Sequence, residues 1–137
     1  MFTLLKFDDH KTKKNVATKV RDLCGNNDKK EVFAKSGGIE EIVDIIKIRN
    51  IELEILAISA LRHLSLCDSF KHKIVELGAL KQCIRCIYWS TGDLQSQIAG
   101  LLSNLSLNST NQITMVQKGL IPFIVTLSKR DDKDIQQ

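Results

Sequence analysis

The chain has 137 residues, 43% of them hydrophobic, 26% charged and 5% aromatic, with a net charge of +4. That supplies apolar material for one core and an ordinary soluble surface, while the modest charge, with no aromatic stacking platform or reading motif, argues against a nucleic-acid binder. No apolar run approaches the roughly 18–20 residues of a membrane span, and Lys6 and Asp8 interrupt the opening MFTLLKFDDH, so it has no signal-peptide core.

In chain order, residues 1–9 (MFTLLKFDD) align with 124–132 (IVTLSKRDD), so the chain opens inside a unit that recurs later. Helical patterning follows over 11–24, and a short helix is expected over 28–36. An amphipathic helix over 38–48 has Ile39, Ile42, Val43 and Ile46 at three- and four-residue steps. The same order then returns: a long helix over 52–66, a short one over 69–77, another over 79–89, and again 93–107, 110–118 and 120–129. Pro122, the one proline, falls in the first turn of the last helix, where its missing N–H costs little.

The period is 41 residues. It relates Leu23 to Leu64 and Leu105, Val20 to Leu61 and Leu102, Ile39 to Leu80 and Ile121, and Gly37 to Gly78 and Gly119. A period near 40 with helices inside each unit predicts an all-α solenoid, an architecture that offers long surfaces to partners. Each periodic glycine follows a short helix and suits a stop that needs positive φ. The units are read as 1–26 (the end of one repeat), 27–67, 68–108, and 109–137 (the start of a further one). Neither end carries a polar cap, so a piece of a longer array, open to self-association through its ends, is the expectation.

The segments LSLCDSFKHKIVELGALKQCIRCI (64–87) and LSLNSTNQITMVQKGLIPFIVTLSKRDD (105–132), with the Gly-[small or apolar]-[Ile/Leu] turn, resemble the armadillo repeat. HEAT repeats fit less well, since they lack the short glycine-terminated first helix. The resemblance covers essentially the whole chain. It implies a right-handed α-α superhelix whose third helices line a concave groove gripping an extended segment of another protein. In the nuclear-import branch each groove helix carries a Trp followed four residues later by an Asn. The matching positions here are Thr18/Asp22, Ser59/His63 and Gly100/Asn104, and only Asn104 agrees. Without aromatic rings there is no cation–π surface for lysines, so the resemblance points instead to adaptor-type proteins of adhesion, vacuole, cytoskeletal or ciliary assemblies.

Helical geometry puts the groove stripe at Lys14, Thr18, Arg21 and Asp22, then Ile55, Ser59, Arg62 and His63, then Ser96, Gly100, Ser103 and Asn104. Arg21 and Arg62 hold equivalent positions, a basic ladder suited to the carboxylates of an acidic or mixed-charge peptide; a merely solvated stripe is the alternative. Gly100 either opens a pocket for a partner's side chain or allows close packing, and packing is the reading adopted. Lys6, Lys11, Lys13, Lys14 and Lys19 form the densest basic cluster. Tyr88 and Trp89 offer an interface anchor or a cap over a turn.

Four cysteines without a secretion signal suggest free thiols in a reducing compartment. Cys83 and Cys86 align with Ile42/Ile124 and Ile45/Leu127, which are core slots, so Cys-x-x-Cys reads as packing and not as redox or metal chemistry. His63 and Cys67 lack an orienting group or oxyanion hole. The expectation is therefore a non-enzymatic, cofactor-free protein-interaction scaffold, cytoplasmic with nuclear, cytoskeletal or ciliary association open. The alternative is a purely structural solenoid segment.

Overall fold

The computed structural model describes residues 9–87 and 92–120, and among these every regular element is a helix. They run α1 (His10–Gly25), α2 (Lys30–Phe33), α3 (Ile39–Ile46), α4 (Ile51–Leu64), α5 (Asp68–Glu76), α6 (Ala79–Ile87), α7 (Gly92–Leu105) and α8 (Ser109–Gln117). All but Leu120 of the helix expected over 120–129, Pro122 included, lies outside the described residues, as do Lys6, Tyr88 and Trp89.

Local chemistry sets the ends. Asp9, Asn50 and Asn108 cap α1, α4 and α8 by accepting the backbone N–H of Lys11, Leu53 and Asn111, which satisfies donors that the first turn leaves unpaired. Between α2 and α3, Ala34–Gly38 carries widened π-type hydrogen bonding, yet Ser36 and Gly37 leave helical angles, so the chain breaks there. Gly37, Gly78 and Gly119 have φ of 94°, 94° and 70°. A Cβ is disfavoured in that region, which explains why glycine holds this slot in every unit.

The long helices α1, α4 and α7 pack side by side as one layer, with α3 against α6 and α5 against α8 behind them. The seam is apolar. Ile39, Ile42, Ile45 and Ile46 of α3 share one buried core with Leu53, Ile58, Leu61 and Leu64 of α4, and Leu94, Ile98, Leu101, Leu102 and Leu105 continue it into α7. Each such side chain contributes about 1.5–3 kcal/mol of burial. Cys83 and Cys86 lie fully inside this core, in the slots that isoleucine holds one unit earlier. The result is an all-α solenoid of the armadillo type, in which α4 and α7 are buried over most of their surface and α1 buries only Ala17 and Cys24.

Candidate functional site

The residues expected from helical spacing lie on these three long helices. On α4, Ser59 is half-buried while Arg62 and His63 are exposed, and Ile55 packs against the core edge. On α7, Ser96, Gly100 and Asn104 are half-buried and Ser103 is exposed. On α1, Lys14 and Asp22 are exposed, with Thr18 and Arg21 half-buried between them.

Between α4 and α7 the stripe dips into a cleft of about 360 Å³, lined by Ser59, Arg62, His63, Leu66, Gln97 and Asn104. Four of these were expected; Leu66 and Gln97 were not. Leu66 sits just past the end of α4 with 64% of its surface exposed, and Leu107, at 73%, holds the same place one period later. A leucine kept in register beyond a helix end was the signal available for that position. Gln97 had none, because its role depends on its contact with Arg62.

The polar groups are ordered by short-range bonds. Arg62 Nη1 donates to Gln97 Oε1 at 3.4 Å, and the aliphatic and Nε part of Arg62 fills the space where a Cβ on Gly100 would stand. The glycine therefore serves close packing, and what packs there is Arg62. Asn104 Nδ2 donates to Ser65 Oγ at 3.0 Å and to the Arg62 carbonyl at 3.4 Å, tying α7 to the end of α4. Thr18 Oγ1 turns back onto the Lys14 carbonyl at 2.8 Å. Lys14 pairs with Glu52 at 3.1 Å, an acceptor that His10 also approaches at 3.5 Å. Arg21 takes its neighbour Asp22 at 3.3 Å, so the partners of Arg21 and Arg62, a carboxylate and an amide, differ although their repeat positions match.

Those arginines still share a field. Burial first, and then the positive charges of Arg62, Lys30 and Arg21, hold His63 below its ordinary pKa, so the imidazole is neutral near pH 7. A cleft lined by one guanidinium and a neutral imidazole, in the field of Arg21 and Lys30 nearby, favours anionic side chains.

Three of the four cysteines lie in the core. Burial pushes the thiols of Cys24 and Cys83 up to about 12 and that of Cys86 to about 11, far from the thiolate state reactivity needs. Cys67 is half-buried at the N-cap of α5. Among the described residues no group of three or more His, Cys, Asp or Glu is placed to hold a metal ion, and no helix is long and apolar enough to cross a membrane.

The model of the family described as Kinesin-associated protein (KAP), which is built on armadillo-like repeats, matches residues 16–136. The chain belongs to that family. No curated protein and no solved structure matches it. The family is one of adaptors, not of enzymes, and its match spans α1 from Val16 onward together with every later helix described above.

Proposed function

We propose that this chain is a non-enzymatic adaptor that takes an extended, acidic or mixed-charge segment of a partner protein along the stripe of α1, α4 and α7. The observation that carries the reading is the cleft at Ser59, Arg62, His63, Gln97 and Asn104, with its arginine anchored over Gly100. An extended peptide fits such a surface because successive units present equivalent positions at regular spacing. The rest of the proposed contact is Lys14, Thr18, Arg21, Asp22 and Ser103. The family's association makes a kinesin the first partner to test, and a cytoplasmic, cytoskeleton-associated setting follows from that choice.

A second reading draws on Asn104. Its amide is spent on Ser65 and the Arg62 carbonyl, which suits a solenoid segment whose polar stripe mainly locks neighbouring units together. The two readings part on one experiment: affinity of the chain for kinesin segments, compared with an Arg21→Glu/Arg62→Glu variant of equal helicity by circular dichroism. Adaptor binding along the stripe requires the variant to lose most of its affinity. Undiminished binding removes the groove from the proposal.

A further inference from the structure

A second cleft, of about 370 Å³, lies between the turn after α3 and the first turns of α6, lined by Lys47, Arg49, Lys81, Gln82 and Arg85. It shares no residue with the groove cleft. Four cations and an amide line it, without a carboxylate. The repeat does not account for this: Lys81, Gln82 and Arg85 stand one period after Glu40, Glu41 and Asp44. The same helix face is acidic in one unit and basic in the next, so the cluster is particular to this place in the chain.

The cleft has one fixed wall. Arg85 donates from Nε to Gln82 Oε1 at 3.3 Å, from Nη1 to Glu54 Oε1 at 3.3 Å and from Nη2 to the Ile46 carbonyl at 2.9 Å. Among the described residues these three bonds use three of its five N–H groups. Glu54, itself buried, balances Arg85, and Asp44 approaches Lys47 at 3.8 Å. Arg49 and Lys81 make no ion pair among the described residues, so two positive charges converge on the cleft without an answering anion.

The φ of 62° at Arg49 makes it the one non-glycine among the described residues with a left-handed backbone. Glycine adopts that conformation freely and a residue bearing a long side chain does not. The stop that ends α3 thus holds a cation in a backbone conformation that glycine adopts more readily.

We infer that this cleft binds a phosphate monoester carried on a segment of a partner protein. The two unbalanced cations match the nearly dianionic charge of a phosphate at neutral pH, whereas a single carboxylate would leave one unanswered. Arg85 supplies a planar, pre-oriented donor, and the longer-reaching Lys81 and Arg49 close on the remaining oxygens. A protein carrier is favoured because the family is named for its association with a protein.

The test is calorimetric titration of the full chain with a short alanine–glycine peptide bearing one phosphoserine, with its unphosphorylated form, with inorganic phosphate and with phosphoinositide vesicles. The phosphopeptide should bind about tenfold more tightly than the unphosphorylated peptide, the weight of one charge-assisted hydrogen bond. Lys81→Glu and Arg49→Gly should each abolish most of that difference, and Arg62→Glu in the groove should leave it intact. Arg49→Gly should also melt no lower than the parent chain, which separates lost recognition from lost fold. Equal affinity for the two peptides overturns the site. So does binding confined to vesicles, while inorganic phosphate binding as tightly as the phosphopeptide overturns a protein-borne ligand.

Discussion

The side chain of Arg62 occupies the space that a Cβ on Gly100 would need, so the arginine of α4 lies on the bare backbone of α7. Its Nη1 bond to Gln97 holds it there. A methyl group at position 100 would meet the flexible end of Arg62, which can swing into solvent. Gly100→Ala should therefore leave stability unchanged or raise it by up to about 1 kcal/mol through helix propensity. Affinity for a groove-bound acidic segment should nevertheless fall. Thermal melting and peptide titration of the same variant check both halves, and a loss of stability with unchanged binding would contradict the arrangement.

Cys67 occupies the N-cap of α5 without a side-chain bond, whereas Asn26 and Asn108, one period away on either side, accept backbone N–H groups from their following turns. The backbone is already suited: φ and ψ are −90° and 122° at Cys67 and −88° and 128° at Asn108. Cys67→Asn should stabilise the chain by about 1 kcal/mol. Chemical denaturation reads this directly, as a higher midpoint at unchanged slope.

Asn111 is fully buried, and its Nδ2 donates to the carbonyls of Lys71 at 2.9 Å and Leu105 at 3.0 Å. One amide thus joins α8 to α5 and to the end of α7. Asn111→Leu would remove both bonds, and the cost should be about 1–3 kcal/mol, since each hydrogen bond contributes about 0.5–1.5 kcal/mol and the Leu105 carbonyl keeps the Asn108 N–H at 3.3 Å. Asn111→Asp should be worse, because a carboxylate would face the two carbonyls. Hydrogen exchange should show α8 losing protection first in either variant.

His63 titrates below its ordinary value through burial and the charges of Arg62, Lys30 and Arg21. Its folded pKa lies under the unfolded one, so between those two values the unfolded chain binds more protons and stability rises with pH. On acidification, stability should begin to fall near the unfolded histidine value of about 6.5. His63→Gln should flatten that part of the profile. An acidic segment bound beside His63 should raise its pKa, so proton NMR titration of the imidazole, free and in complex, also tests the groove.

The period made the layered helices and the glycine stops readable, because a slot held by leucine or glycine in each unit has one packing explanation. It also explained Cys83 and Cys86, which are as buried as the isoleucines they replace. Helical spacing sets Ser59, Arg62 and His63 on one side of α4 and Ser96, Gly100, Ser103 and Asn104 on one side of α7. What the period could not convey was the direction of long side chains. Arg21 and Arg62 share a slot yet take different partners, Asp22 and Gln97. Asn104 matched a peptide-holding position of a related branch, yet its amide bonds within the solenoid. The second cleft escaped notice because Lys47 and Arg49 lie on a turn and Lys81 and Arg85 on the next unit's helix, a proximity of long sequence separation.

Photo-crosslinking of a kinesin segment from single positions tests the central claim most directly. The groove account predicts adducts from a photoreactive residue at Ser59 or Ser103, and none from Ile113, which is exposed on α8. Adducts from Ile113 with none from Ser59 or Ser103 would contradict it.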